Sequence, residues 1–407
     1  MKRILCILFC VLIVSLSFAD MNPPHRYFEL GMDVDVSLAN NWLSVSDFFQ
    51  ETLVLDFTKV ASDLKDGVTV DLNSEVTAFM NINFGKTVRI GFFAGVDGMG
   101  MVNLSQSLLE FVAKGNASGN HSVNGAVGMD LAVYAEAGFS VQAFFDKLGI
   151  GVTPTVFVPA VYVPRVKANA SLKMQDDGSM TACLDANVAA YTPFSLNEPE
   201  FAGAPRYFSD AGMDISVSAE YALFPNLDIG VAVNHIPTVP AKLRHKMTYS
   251  ASGEYNIDPI IDTLFEDEDD ENSEEEFSFD DPVYEELASP YALRRPVELC
   301  IGAAFRPFGD WFDVKGNIDL VFYKPIYLNF TVEGGLHFIR MGKLGGHMLN
   351  LSLKTGYDER VWTQQVTLGL NLRVLELNLS VSSRGTEFVK SFMGNGLGVG
   401  VGFRLGF

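Results

Sequence analysis

The chain offers ionic chemistry rather than covalent chemistry. Its six histidines (His25, His121, His235, His245, His337 and His347) show no paired metal-ligand spacing, and neither a Gly-x-Ser-x-Gly nor a Walker sequence is present. No catalytic, cofactor or metal site is expected, and the chain is not expected to be an enzyme. What stands out is charge at even spacing. Lys242, Arg244 and Lys246 recur at every second position, which places three cations on one face of one strand. Arg89 and the acids Asp71, Glu75, Asp130, Glu136, Asp214 and Glu220 occupy the polar face of other alternating segments. If those faces enclose a lumen, the basic ladder opposite the acids creates a transverse field of the kind found at pore constrictions. The other reading is interlocking salt bridges that fill a closed interior. Further charges of the same face are Glu29, Asp33, Asp35, Asp228, Glu298, Asp313, Asp319 and Glu333 against Lys167, Arg306, Lys315, Arg373 and Arg404.

The elements that must carry these residues alternate with period two. In Thr69 to Phe84, Val70, Leu72, Val76, Ala78, Met80, Ile82 and Phe84 fall on one face, and Asp71, Asn73, Glu75, Thr77, Asn81 and Asn83 on the other. A strand sends successive side chains to opposite faces, so each such segment has one oily and one wet surface. The split recurs from Phe28 almost to the C-terminus. A soluble antiparallel sandwich alternates in the same way, but these segments run about 10 to 17 residues, beyond the ~5–6 of globular strands, and match the ~9–11 tilted residues that cross a bilayer.

Composition agrees. A chain of 407 residues with 48% hydrophobic and 19% charged residues is not disordered, and 36 glycines suit many turns. The formal charge of -21, from 50 acidic and 29 basic residues, opposes phosphate binding, so nucleic acid is not expected as a partner. Lys2 and Arg3 precede an apolar run from Ile4 to Val14, and Ser17-Phe18-Ala19 supplies a peptidase site, so residues 1–19 read as a signal peptide cleaved after Ala19. That leaves Cys183 and Cys300, both inward by parity, for which a lumenal disulfide is conceivable. No apolar run of ~18 residues comes after it, so any membrane residence rests on strands.

The final strand alternates Leu397, Val399, Val401, Phe403, Leu405 and Phe407 with glycines and Arg404. This end resembles the C-terminal signal of bacterial outer-membrane β-barrels, in which Phe403, Leu405 and Phe407 are what the barrel-assembly machinery reads. The stretch Arg295 to Phe407, with Arg306-Pro307-Phe308-Gly309 and Leu370 to Glu376, is similar to uncharacterised outer-membrane barrels of spirochaetes. The resemblance implies a location in the outer membrane and contact with its lipid.

The expected fold is therefore all-β, a single antiparallel transmembrane barrel of about 14–16 strands over residues 20–407. Sixteen segments are read, with separate strands at 148–162 and 165–175, one broken strand over 227–256, and one over 290–306. Both termini then lie at one end, with tight turns there and long loops at the other. One short helix is expected in the first long loop, from the Phe49, Leu53, Phe57, Val60 and Leu64 spacing behind Asp47. Residues 262–286 hold 14 acids and no base, and 257–289 reads as a disordered outer loop; the alternative reading is that 262–286 binds a divalent cation weakly or docks a basic partner. The function expected is a channel or facilitated-uptake barrel for small solutes. The alternatives are a closed barrel that displays its loops to a partner, and a carrier of hydrophobic molecules resembling the fatty-acid transporter barrels.

Overall fold

The computed structural model describes residues 26–42, 64, 67–107, 109–110, 123–174, 180–195, 209–257, 277–279, 282–323, 325–341, 347–359 and 361–407. In chain order the strands are β1 (Phe28–Asn40), β2 (Val68–Phe84), β3 (Val88–Leu104), β4 (Val123–Phe145), β5 (Leu148–Met174), β6 (Met180–Thr192), β7 (Gly212–Phe224), β8 (Leu227–Val239) and β9 (Ala241–Ile257). They continue as β10 (Phe277–Phe279), β11 (Val283–Leu293), β12 (Val297–Phe305), β13 (Phe312–Phe322), β14 (Tyr327–Arg340), β15 (His347–Asp358), β16 (Val361–Asn371), β17 (Leu375–Gly385) and β18 (Gly396–Gly406).

Fourteen of these close into an antiparallel barrel. The ring runs β1-β2-β3-β4-β5, passes from β5 to β7 and from β8 to β12, continues to β18, and is sealed by β18 against β1. The remaining four strands form an inserted sheet: β6 pairs with the far half of β5, β9 pairs with β6, and β10 and β11 pair with β9. The ring falls within the expected 14–16 strands, and the sixteen segments read from the sequence are redrawn at three places. Residues 148–174 are one strand of 27 residues, because Pro164 sits at a register shift rather than in a turn. The broken segment 227–256 is two strands that part at Pro240, one in the ring and one in the insert. The segment 290–306 is likewise divided between β11 and β12 around Arg294, Arg295 and Pro296. The described part of 257–289 also departs from a disordered loop, since β10 and the start of β11 are paired strand. The signal segment 1–19, the helix expected near 49–64 apart from its last position, and most of 262–286 lie outside the described residues.

The seam shows why alternation closes the ring. Leu30 faces Leu405, Met32 faces Phe403, Val34 faces Val401, Val36 faces Val399 and Leu38 faces Leu397, so every outward rung across β1 and β18 is an apolar pair. Most of these side chains stay exposed, Leu30, Val36, Leu397 and Val399 among them, and the same outward band continues through Ile301, Ile318, Val332, Val366 and Leu379. Phe407 stacks on Phe28 at 5.7 Å, and its carbonyl accepts from the Tyr27 N–H at 2.7 Å, which ties the two chain ends together. Short connections at 85–87, 146–147, 225–226 and 372–374 share that end of the ring, the turn end. The insert stands at the opposite loop end, where Ala132, Tyr134, Phe157, Tyr162, Ala241, Leu243 and Leu293 form the buried apolar cluster.

Candidate functional site

The inward face of the ring encloses a cavity of about 640 Å³. Its lining is dominated by acids: Asp71, Glu75, Asp97, Asp130, Glu136, Glu220, Asp228, Glu298, Asp319, Glu333, Asp358 and Glu359, against Arg165, Arg294, Arg295, Lys315 and Lys354. Tyr134, Tyr162, Tyr323 and Tyr327 supply phenols to the same space. Strand pairing sets these residues in rows. Asp71 lies opposite Met101, and Met101 opposite Asp130. Asp35 lies opposite Glu75, Glu75 opposite Asp97, and Asp97 opposite Tyr134. On the far wall Lys315, Glu333 and Lys354 form a row of alternating sign.

Three guanidiniums bridge inward-facing residues of separate strands near the loop end. Arg295, on the crossing between β11 and β12, donates from Nε to Asp214 Oδ2 at 2.8 Å and from Nη2 to Asp214 Oδ1 at 3.0 Å. Its Nη1 donates to Glu136 Oε2, and its Cζ lies 4.6 Å from the centroid of the Phe157 ring. A bidentate pair with a second carboxylate and a ring face fixes the guanidinium in position and orientation. Arg165 donates to Asp130 at 2.8 Å and to Glu359 at 2.6 Å, which links β5 to the turn after β15, almost diametrically opposite in the ring. Arg384 on β17 reaches Asp71 at 3.0 Å and Ser37 at 2.9 Å. The hydroxyls of Tyr162 and Tyr323 meet at 3.2 Å beside them.

A bulge in β8 shapes the same wall. His235 has a φ of 55° where the β7–β8 register shifts, and its Nδ1 lies 3.5 Å from Asp214 Oδ2. Such left-handed bulged residues re-aim a side chain without breaking the sheet. Cys300 is a free, buried thiol that accepts from Asn234 Nδ2 at 3.3 Å, so it forms no disulfide with Cys183.

The expected site residues divide into three groups. Asp71, Glu75, Asp130, Glu136 and Glu220 line the cavity, and Asp214 is bound by Arg295 at its edge. Arg89 stands near the turn end, where its Nε donates to Asn83 at 3.0 Å. Lys242, Arg244 and Lys246 lie on β9 of the insert and do not border the cavity; Arg244 binds Asp210 and Lys246 lies 3.9 Å from Glu285. Segment 227–256 bends out of the ring at Pro240, and nothing in the alternation of β9 marks that departure. Among the described residues the cations at the cavity are instead Arg165, Arg294, Arg295, Lys315 and Lys354, of which only Lys315 was expected to face inward. Arg165 follows Pro164 and Arg295 precedes Pro296, so both were hidden in apparent turns.

Among the described residues no group of three or more His, Cys, Asp or Glu is arranged to hold a metal ion, and no helix is long and apolar enough to cross a membrane. The family described as "Family of unknown function (DUF5723)" matches residues 24–403. No curated protein matches in sequence. Among solved structures, the chain is similar to the CymD monoaromatic hydrocarbon channel, with a TM-score of 0.43, 9% identity, and coverage of 97% of this chain and 94% of that one. The toluene transporter TodX of Pseudomonas putida gives 0.43 and 11%, covering 93% and 89%. A triple mutant of the Rhodopseudomonas blastica porin gives 0.30 and 8%, covering 93% and 100%. Likenesses this distant say nothing about function, which is read from the barrel and its lining.

Proposed function

We propose, from the premise that this chain belongs to the DUF5723 family of unknown function, that it is an outer-membrane channel or uptake barrel for small hydrated solutes, with preference for cations. One observation carries the reading: a closed ring turns an apolar band outward and an acid-rich cavity of about 640 Å³ inward. An apolar outer wall around a polar interior is stable only where the surroundings are oily and the inside is wet. The acids favour hydrated, positively charged solutes over the lipophilic molecules that a hydrocarbon carrier would take, because a carboxylate lining repels apolar groups and anions alike. The guanidinium lattice of Arg165, Arg295 and Arg384 is the proposed constriction. The exported form would be residues 20–407, and Phe403, Leu405 and Phe407 would engage the assembly machinery.

The test is conductance of the refolded protein in a planar bilayer. Ohmic steps with a cation-selective reversal potential are expected, and Glu298→Gln with Asp358→Asn, both at the cavity, should move that potential toward zero. A heat-modifiable barrel that inserts without conducting would overturn the channel reading. It would favour display instead, for which the insert of β6, β9, β10 and β11 is the surface on hand.

A further inference from the structure

The connection from β17 to β18 stands at the loop end of the ring, where the surroundings expected of a loop are water. It folds back on the outside of the wall instead. Gly385, the last residue of β17, lies opposite Trp362, and Ser383 lies opposite Gln364, on the same alternating face as the exposed Val381. A Cβ at Gly385 would lie 2.9 Å from the Ser391 nitrogen and 3.0 Å from the Lys390 carbonyl carbon, so the 3₁₀ turn of Lys390–Phe392 rests directly on that outer face. Two polar side chains of the face tie the turn down. Gln364 Nε2 donates to Ser391 Oγ at 3.1 Å, and the Gly394 N–H donates to Ser383 Oγ at 3.0 Å. Ser391 is fully buried, and its hydroxyl donates to the Phe388 carbonyl at 2.6 Å.

The turn covers polar groups of the rim, and the surface it shows in their place is apolar. Val389, Phe392 and Met393 are 61%, 62% and 60% exposed, and Phe388 beside them is 46% exposed. A contiguous exposed patch of this kind marks an interaction surface. It is continuous with the outward band in two directions. Val381, Leu397 and Val399, all exposed, carry it toward the turn end. Around the ring an aromatic strip carries it to β14: Phe392 meets Phe388 at 5.3 Å, Phe388 meets Trp362 at 5.0 Å, and Trp362 meets Phe330 at 5.4 Å. Tryptophan, apolar at one end and a donor at the other, suits the boundary between hydrocarbon and water. The two charges of the turn, Lys390 and Glu387, bind each other at 2.6 Å, so the patch offers no net charge to a charged partner.

We infer that the β17–β18 connection is a membrane-embedded foot, with lipid acyl chains covering Phe388, Val389, Phe392 and Met393. The inference rests on the reading of the outward band as the lipid-facing wall, and extends that surface past the strand ends onto a loop. The test uses the refolded mature protein in phosphatidylcholine vesicles, plain or brominated in the acyl chains. The emission that Phe392→Trp adds over the parent protein is expected to drop at least twofold in the brominated vesicles and to resist aqueous iodide, as for Val399→Trp on the band. Met393→Trp, at the next position of the patch, should behave alike with Phe392 in place. Glu285→Trp, at an exposed position of β11, should respond to iodide and not to bromine. Iodide quenching without bromine quenching at either 392 or 393, with Val399→Trp quenched by bromine, would overturn the foot and keep the lipid-facing wall. Shielding of either position from both quenchers would overturn it in favour of a second copy of this chain seated on the patch. Absence of bromine quenching at Val399→Trp would sink the lipid-facing wall, and the foot with it.

Discussion

Arg295 is the residue on which the interior hangs together. It is 8% exposed and neutralises Asp214, itself 2% exposed, together with Glu136. Removing one member of a buried ionic group leaves the others charged and unpaired, at a cost of about 3–5 kcal/mol. Arg295→Met should therefore lower the unfolding free energy measured in denaturant by that amount, while Arg340→Met, which breaks an exposed pair with Asp310, should cost about 0–1 kcal/mol. Equal losses in the two variants would show that Arg295 is not structural. Outside the ring, Arg244 binds Asp210 through Nε at 2.5 Å and Nη2 at 2.7 Å, and this hydrogen bonding holds the carboxyl below its ordinary value. A group with a depressed value stabilises the folded form above its unfolded pKa of ~3.9, and loses that contribution as pH falls through the folded value. Protease cutting of the insert should rise as pH drops below about 4, where the unfolded form of Asp210 begins to take up its proton first. In Asp210→Asn the cutting should already be raised at neutral pH and change less with acid.

At the scale of elements, the last strand is the one whose composition is most tightly dictated by its neighbours. Gly398, Gly400 and Gly402 face inward opposite Ser37, Asp35 and Asp33. A Cβ at Gly400 would lie 2.7 Å from Asp35 Oδ2 and would collide with Ser380 Oγ, and one at Gly402 would lie 2.7 Å from Asp33 Oδ1. The glycines make room for polar side chains that lean over them from β1 and β17. Gly400→Val should strain the seam by about 1–3 kcal/mol and reduce the heat-modifiable, closed form on a gel, whereas Val399→Ala, on the exposed outer face, should leave closure intact. Closure unaffected by Gly400→Val would mean that the seam tolerates displacement of Asp35. The long strand β5 is a second case. Its first half pairs with β7 in the ring and its second half with β6 in the insert, so one strand anchors two sheets.

On the scale of the whole molecule, the -21 formal charge is unevenly placed: much of it lies in the 262–286 segment, and the rest includes the cavity lining. A lumen of one prevailing sign concentrates counter-ions, and salt screens that field over about 10 Å at 0.1 M. The cation selectivity proposed for the barrel should therefore shrink as salt rises from about 0.1 M to about 1 M, as read from reversal potentials. Selectivity independent of salt would point to size exclusion at the guanidinium lattice instead.

Alternation together with segment length determined that this chain is a barrel, because a sandwich alternates too but has shorter strands, and segments of about 10 to 17 residues with one oily and one wet face suit a closed ring across a bilayer. It also determined which residues of β2 and β4 face inward, so that Asp71, Glu75, Asp130 and Glu136 were legible from the sequence, whereas Asp97 on β3 was not picked out. Strand parity placed both chain ends and the tight turns at one end of the ring. What alternation does not encode is which strand a given strand pairs with. Pro240 sends β9 into the insert while its pattern continues unbroken, so Lys242, Arg244 and Lys246 keep the look of a lumenal face outside the lumen. Arg165 and Arg295 sit beside prolines, where periodicity fails, and Asp358 and Glu359 sit at a strand end. These residues become one constellation only when the ring closes and brings β5, β12 and β15 around a common space. Charge pairing across a lumen joins residues far apart in the chain, and only tertiary structure decides it.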